Sequence, residues 1–408
     1  MAEKLKSFVL KRKYEAVVFV MTMIPFLLNY KELSRVHHMF IPYYLYDYSM
    51  GFNSRMLVGS FVRLLNAHPT EEWITGFATV MLVFGMVLTA IVLGKVVKNA
   101  KSENRFSAFV FILFFVSGVY TVSIFFRFFG MLDIHMYILA LTAVAFANNK
   151  YLRWFVPILC LAGVLVNYVF IMSYFPLVLL AMLYYADKNE KKFGNTVLLV
   201  VTVISVFALT LYCVFLAKDH MFMTFDEAIK IMEEKIGHAL TAEENEYAEL
   251  YLFGQHAESE TMYDFKISEA SPFEYLYYFI KFIYENRIGG HGIITLLIIT
   301  VPVIAVFWII WIMCIKNTDK KSLKFVFLCC ILSVICIPVC CILSTDFIRW
   351  IASGIMCQFA MCFLMFYTKD EAFDKAVKKL RELFSKNKIV SIIIYVLYVS
   401  SAYLPLGV

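Results

Sequence analysis

The chain has 408 residues, of which 62% are hydrophobic and 17% aromatic, and its mean hydropathy is +0.75. A soluble protein cannot bury so large an apolar fraction, so the composition excludes a soluble enzyme and predicts one integral membrane domain over residues 1–408. The net charge is +6, and no nucleic-acid partner is expected. All ten cysteines fall in apolar segments, which argues against a disulfide framework and favours simple packing of the thiols.

The apolar runs predict an all-α polytopic membrane protein with about eleven transmembrane helices, since a bilayer core about 30 Å thick needs about 20 apolar residues per helix. Shorter helices are tolerated inside a bundle. The predicted spans are 14–31, 74–94, 106–126, 133–147, 155–170, 172–186, 195–217, 291–315, 324–343, 350–367 and 389–405.

The run 155–186 decides the number of spans. A single helix of that length would measure about 48 Å, too long for one crossing, and Asn167 and Pro176 offer places to break it. With a hairpin there and the N-terminus inside, 25 of the 37 Lys and Arg residues are cytoplasmic, whereas with one span only 18 are. The positive-inside rule favours the hairpin, which places the N-terminus in the cytoplasm and the C-terminus outside.

This topology leaves two long outer segments, 32–73 and 218–290. Within the first, residues 56–66 carry polar side chains on one helical face and apolar ones on the other, which predicts an interfacial helix on the outer leaflet. The second segment is acidic and should contain a helix over about 225–239. A further helix is predicted to begin at Ser271, where Ser, Pro and Glu form a helix-start pattern.

Carboxylates and arginines occur close together in three outer connections. The groups are Asp47 with Arg55, Arg127 with Asp133 and His135, and Asp346 with Arg349. The interiors of the predicted spans hold no Asp, Glu, Lys or Arg, whereas ion-coupled transporters usually keep ionisable groups near the midplane. The pattern therefore favours an outward-facing enzyme that takes one substrate from lipid and another from water. A lipid-linked oligosaccharide flippase or other transporter is the alternative from a different class.

These residue types suit the transfer of a group from a lipid phosphate. An acceptor hydroxyl needs a carboxylate base within hydrogen-bond reach, and Asp47 is the candidate. The departing phosphate needs arginine forks, for which Arg127 and Arg349 are candidates. Asp133 and His135 are candidate catalytic residues that would orient the acceptor or, with Asp47, hold a divalent cation.

The order of these features resembles the GT-C glycosyltransferases, which are multispanning enzymes that use polyprenyl-phosphate sugars. The resemblance covers residues 1–290: one span, a long first outer loop with an acid and an interfacial helix, six further spans and a large outer loop. Residues 291–408 would add transmembrane helices and the outer loop with Asp346 and Arg349. The local motifs that look like those of bacterial GT-C-like membrane proteins are Tyr46-Asp47-Tyr48, Gly51-Phe52-x-x-Arg55 and Asp346-x-x-Arg349-Trp350.

The resemblance implies an enzyme of the plasma (inner) membrane with its active site on the outer face. Its donor would be a polyprenyl-phosphate-linked sugar and its acceptor a glycan, a lipid or a protein. In that family an acid of the first outer loop serves as base or metal ligand, a position that Asp47 matches. The second outer loop lacks the family's Asp-x-Asp or Glu-x-Asp pair, so no metal ligand is assigned, and the participation of Mg²⁺ or Mn²⁺ stays open. A polysaccharide polymerase or ligase acting on lipid-linked glycans is the alternative within the enzyme class.

Each candidate residue also has a purely structural interpretation. Asp47 could pair with Arg55 to stiffen a turn, and Asp346 with Arg349 could anchor a helix end at the interface. Arg127 could be an interfacial anchor. The remaining predicted substrate contacts, which could equally serve packing or backbone hydrogen bonding, are Tyr46, Tyr48, Arg55 and Asn167.

Overall fold

The protein is all-helical throughout the residues that the computed structural model describes, which are 13–28, 33–118, 120–188, 192–216, 221–252, 292–343, 347–386 and 388–400. Its α-helices are α1 (Lys13–Leu28), α2 (Pro42–Leu45), α3 (Met56–Leu65), α4 (Glu71–Asn99), α5 (Arg105–Ser117), α6 (Ile124–Arg127), α7 (Asp133–Ala147), α8 (Val156–Val166), α9 (Phe170–Ser173), α10 (Phe175–Lys188), α11 (Lys192–Leu211), α12 (Phe225–Ile236), α13 (Ala242–Leu252), α14 (Gly292–Lys316), α15 (Lys321–Ser333), α16 (Cys336–Leu343), α17 (Phe347–Thr368), α18 (Glu371–Lys386) and α19 (Lys388–Ser400). A π-helical turn, Tyr212–Leu216, continues α11.

Four helical segments of the described chain are long and apolar enough to cross a membrane. They are Glu71–Asn99, Gly194–Leu216, Lys321–Val339 and Ile348–Thr368, and shorter apolar helices accompany them. This confirms the predicted all-α class with membrane-spanning helices. The eleven spans and their orientation stay predictions.

Burial separates the central helices from the peripheral ones. Within Ile348–Thr368, 78% of an apolar stretch of 18 residues is buried, whereas the corresponding share in Gly194–Leu216 is 28%. Helix α17 therefore lies inside the bundle, where α4, α10 and α14 pack against it. Helix α11 instead exposes large apolar side chains such as Ile204 and Phe207, as expected of a helix that faces lipid.

The bundle has two ends, which we name the Asp47 end and the Asp187 end. At the Asp187 end, Lys320 Nζ lies 2.6 Å from Asp187, and Arg153, just before α8, donates to Asn195 near the start of α11. The Asp47 end carries the described parts of 33–70 and 221–252. Because α8 starts and α10 finishes at the Asp187 end, the chain over 155–186 returns to the end where it began, as the charge bias predicts.

The helix breaks at Asn167, one of the two places that the sequence offers. Helix α8 ends at Val166, and the Asn167 side-chain oxygen accepts the Val169 N–H at 3.2 Å. Ser54 Oγ donates to the Val164 carbonyl at 2.8 Å and accepts the Tyr168 N–H at 2.7 Å. These bonds satisfy backbone groups that a broken helix would otherwise leave unpaired.

The predicted span 106–126 is wrong in its second half, because α5 ends at Ser117 and a helix resumes only at Ile124. The hydroxyls of Thr121 and Ser123 donate to the Gly118 carbonyl at 2.9 and 2.5 Å. Such local side-chain bonds compete with the helical backbone ladder.

The predicted span 324–343 overlaps the candidate membrane span Lys321–Val339, within which a turn at 334–335 separates α15 from α16. Ser333 Oγ donates to the Cys330 carbonyl at 2.9 Å where α15 ends. The helix predicted to begin at Ser271 lies outside the described residues.

Candidate functional site

The Asp47 carboxylate lies between α2 and α3 and is only 1% exposed. Its Oδ1 accepts hydrogen bonds from Arg63 Nη1 at 2.9 Å and from the backbone N–H of Ser49 at 2.7 Å. Its Oδ2 accepts a hydrogen bond from Lys235 Nζ at 2.5 Å. Two cations from different helices therefore meet at one buried carboxylate.

The environment of Asp47 keeps it ionised. Burial is the largest influence on its carboxyl group and by itself would raise the pKa. The hydrogen bonds from Lys235 and Ser49 together outweigh burial, so the pKa lies below its ordinary value. Burial lowers the pKa of Lys235, and the contact with Asp47 opposes that shift. Each partner thus helps to keep the other charged.

A close helix crossing at Gly59 holds the Asp47 loop in place. A Cβ at Gly59 would lie 1.7 Å from the carbonyl oxygen of Tyr46, so only glycine fits between α3 and the loop. Arg55 begins α3 with a left-handed backbone, φ 76°, and Ser60 Oγ accepts the Tyr48 N–H at 3.0 Å. The crossing brings Arg63, about one turn beyond Gly59, to the carboxylate.

Residues 221–252, which we name the cap, supply Lys235. Helix α12 begins with a reciprocal capping box between Thr224 and Glu227 and ends at Gly237, whose φ is 86°. Met221 forms an isolated antiparallel bridge with Gly51. The cap is therefore joined by backbone pairing to the loop that carries Asp47.

Contacts between histidines and carboxylates also hold the cap. His38 Nδ1 lies 3.0 Å from Oε1 of Glu244, whose side chain is 0% exposed, and His238 Nε2 lies 3.1 Å from Oε1 of Glu71. Burial of Glu244 would raise its carboxyl pKa, but hydrogen bonds from Thr241 and His38 outweigh burial and lower it. The cap therefore contacts residues 33–71 through polar pairs as well as through its buried apolar side chains.

A second ion pair joins Asp133 on α7 to Arg349 on α17. The Nε and Nη2 atoms of Arg349 donate to Oδ2 of Asp133 at 3.1 and 2.8 Å, and the two residues are 7% and 8% exposed. The guanidinium carbon lies 5.3 Å from the ring centre of Trp350. Two predicted site residues 216 positions apart are therefore in direct contact.

A small cavity borders this pair. Its lining includes Asp133, Arg349, Tyr44 and Gly130, together with three phenylalanines, Phe125, Phe128 and Phe129. The Tyr44 hydroxyl donates to the Gly130 carbonyl at 2.6 Å. The volume in which the centre of a water molecule can lie is about 10 Å³, so the cavity holds about one water. A sugar would require this region to open.

His135 packs among aromatic rings. Its ring is stacked on Phe77 with centres 6.2 Å apart and lies 6.5 Å from the ring of Tyr44. Neither ring nitrogen has a hydrogen-bond partner within the described part of the chain, and the residue is 7% exposed. It follows Asp133 by two positions on α7, so the two side chains point in different directions.

The two predicted tyrosines flanking Asp47 are packing residues in this conformation. Tyr46 is 0% exposed, and its hydroxyl finds no hydrogen-bond partner among the described residues. Tyr48 stacks on Phe52 with ring centres 5.4 Å apart.

The other predicted contacts are dispersed around the Asp47 end. Arg55 lies over the ring of Tyr168, 5.4 Å from its centre. Arg127 is the last residue of α6, and its positive charge acts on the phenol of Tyr120. The side-chain oxygen of Asn167 serves the helix break, and Asp346 lies outside the described residues.

The surroundings of Asp47 do not fit a divalent cation. Both of its oxygens face positive side chains, Arg63 and Lys235, where a metal site would need further carboxylates or neutral donors. The described residues contain no group of three or more His, Cys, Asp or Glu that could hold a metal. We therefore assign no metal ligand.

The sequence analysis does not single out Lys235 or Arg63, and Arg63 enters it only as one of the polar side chains of the predicted helix over 56–66. A signal for Lys235 was present, because it follows Met232 by three positions and Ala228 by seven, on the apolar face of α12. A lysine on the buried face of a helix requires a partner. The sequence alone does not say which carboxylate that partner is.

Comparison with known proteins finds no matching family model, no matching curated protein and no matching solved structure. The functional argument therefore depends on the residues and their geometry.

Proposed function

We propose that the protein is a membrane glycosyltransferase that transfers a sugar from a polyprenyl-phosphate-linked donor to an acceptor at the outer face of the membrane. The observation that carries the proposal is the buried, ionised Asp47 at one end of an apolar bundle, with two cations beside it. A carboxylate and cations at the edge of a bilayer are the groups that transfer from a lipid phosphate to a hydroxyl requires.

In the proposed reaction, the acceptor oxygen bonds to the anomeric carbon of the sugar while the bond from that carbon to the phosphate oxygen breaks. Asp47 takes the proton from the acceptor hydroxyl, and the polyprenyl phosphate leaves with the bonding electrons. Cations available at the Asp47 end to stabilise the phosphate are Arg63, Arg127, Lys235 and Arg349.

The strength of Asp47 as a base depends on its partners. While Lys235 donates to it, the lowered pKa makes it a weak base. If Lys235 moved away, Asp47 would lose the hydrogen bond that lowers its pKa most, so the pKa would rise and Asp47 would become a stronger base. The contact with Lys235 therefore corresponds to a resting state of the proposed enzyme.

The interior polar residues support the enzyme over the transporter. Gln358 accepts a hydrogen bond from Trp311 Nε1 at 2.6 Å and donates to Ser333 Oγ at 2.9 Å. Asn167 is engaged at the helix break. These two side chains, which a polar path through the bundle would use, are both committed to internal bonds.

The test is transfer by the purified protein in nanodiscs, supplied with polyprenyl-phosphate sugars and a panel of glycan, lipid and peptide acceptors. Asp47→Asn should lower turnover about 100-fold or more, because a general base contributes about that much. Asp226→Asn, an exposed carboxylate on α12, is the matched control and should turn over as the wild type does. Equal turnover of Asp47→Asn and wild type would remove Asp47 as the base.

A further inference from the structure

We propose that Arg63 and Lys235 form the phosphate-binding site of the protein, and that a lipid phosphate replaces Asp47 as the partner of Lys235. The inference rests on the proposed function and deepens it by naming the cations that hold the donor. It differs from the sequence-based expectation, which assigned the phosphate to Arg127 and Arg349.

The arrangement of charges favours an added anion. Two cations share a single carboxylate, so the cluster of Asp47, Arg63 and Lys235 carries a net positive charge. The Arg63 side chain is 51% exposed, whereas that of Lys235 is 12% exposed. An anion can therefore approach through Arg63 and reach Lys235 at the edge of the cap.

Lys235 is placed to change partners. Its ammonium group donates to Asp47 Oδ2 at 2.5 Å and to the Leu45 carbonyl at 2.8 Å, which leaves one of its three protons available. A bound phosphate would draw Lys235 from Asp47 while the Leu45 contact keeps the ammonium in place. Binding of the donor would then release the base at the same step.

Arg349 is less available for this task. Arg349 directs two N–H groups at Asp133 and is 7% exposed. Removing it from that contact would leave Asp133 buried without its partner, which is costly. Arg63 also donates to a buried carboxylate, but it uses one N–H, at 2.9 Å from Asp47, and its own side chain is 51% exposed.

Apolar side chains around the cluster point to a phosphate carried by a lipid. Helix α3, which supplies Arg63, exposes Phe61 by 51%, Leu64 by 84% and Leu65 by 57%. Phe222, at the start of the cap, is 71% exposed. Cations bordered by such residues match an amphiphile with an anionic head and a hydrocarbon tail. Free phosphate would use the cations alone.

The experiment measures binding of farnesyl phosphate to the full-length protein in zwitterionic nanodiscs by equilibrium dialysis, with farnesol and inorganic phosphate as the other two ligands. We expect farnesyl phosphate to bind more tightly than either. Lys235→Met and Arg63→Met should each weaken it about tenfold or more, the usual effect of losing a charge-assisted hydrogen bond. Lys230→Met, on the exposed side of α12, should bind as wild type does, and Lys235→Arg should retain most of the affinity.

Equal affinity in Lys235→Met and Lys230→Met would overturn the inference, as would equal binding of farnesol and farnesyl phosphate. Tighter binding of inorganic phosphate than of farnesyl phosphate would assign the site to free phosphate and contradict the lipid. If Lys235→Met does not fold, hydrogen exchange on the wild type decides: farnesyl phosphate should alter exchange in α12 and leave α14 unchanged, and no change in α12 refutes the site.

These results are independent of the proposed reaction. Binding that depends on Lys235, without transfer from any donor tested, would leave the phosphate site standing and reject the glycosyltransferase. Transfer that depends on Asp47, with binding unaffected by Lys235→Met, would do the reverse.

Discussion

The buried pair of Asp133 and Arg349 allows a quantitative test of whether Arg349 is a structural or a substrate-binding residue. Arg349→Met removes both N–H groups that Asp133 Oδ2 accepts, at 2.8 and 3.1 Å, in a place where both residues are less than 10% exposed. The carboxylate would remain buried without its cation. Breaking such a pair from one side costs about 3–5 kcal/mol of unfolding free energy.

The double variant Asp133→Asn/Arg349→Met separates the pair from its surroundings. With the charge of Asp133 removed as well, no uncompensated ion remains, so the double variant should be less destabilised than the two single variants added together, by about 2 kcal/mol. Arg35→Met is the control, because Arg35 pairs with Glu71 but is 53% exposed. An exposed pair of this kind contributes about 0–1 kcal/mol.

The assay is unfolding in mixed micelles by titration with sodium dodecyl sulfate, followed by tryptophan fluorescence. A loss of less than about 1 kcal/mol in Arg349→Met, or simple additivity in the double variant, would refute the reasoning. Arg349 would then be free to leave Asp133, and its assignment as a phosphate ligand would regain support over Arg63 and Lys235.

Three further outcomes are expected. Gly59→Ala should lose about 3 kcal/mol of unfolding free energy in the same assay, because its Cβ would meet the Tyr46 carbonyl. Gly76→Ala is the control and should lose nothing, because no atom lies within 4 Å of its Cβ. Equal stability of the two variants would contradict the close crossing. The pKa of Asp47 is lower in the folded protein than its ordinary value of 3.8. The ionised carboxylate therefore contributes its full stabilisation to the fold above pH 3.8, and this stabilisation disappears as the pH falls through the pKa of the folded state. The melting temperature of Asp47→Asn should therefore lie furthest below wild type near neutral pH and converge at acid pH, and a gap that widens on acidification would reverse the assigned sign. Gln358→Leu should leave the buried Trp311 N–H unpaired, costing about 1–3 kcal/mol and shifting tryptophan fluorescence; an unchanged spectrum and stability would argue against the Trp311 bond.

The local structure of this protein was largely predictable from its sequence. Helix α7 has the same bounds as the predicted span 133–147, the helix over 56–65 lies within the predicted 56–66, and the break at Asn167 falls where the sequence offered one. Helix formation and apolar burial depend on residues within a few turns, so hydropathy and helix-end signals carry this information. The wrong prediction of one span over 106–126 also has a local cause. Hydrogen bonds from the Thr121 and Ser123 hydroxyls to the Gly118 carbonyl accompany a break in the helix that the hydropathy of this segment does not reveal.

The partners of the charged residues were not predictable in this way. The sequence placed Asp47 near Arg55, and Arg349 near Asp346, because those residues are neighbours in the chain. The fold brings to these residues partners that are distant in the chain, joining Asp47 to Lys235, 188 positions away, and Arg349 to Asp133, 216 positions away. Burial of an ion requires a partner but does not specify where in the chain it comes from. That choice depends on which helix ends pack together, and here it places Lys235 of the cap against the carboxylate of the loop between α2 and α3.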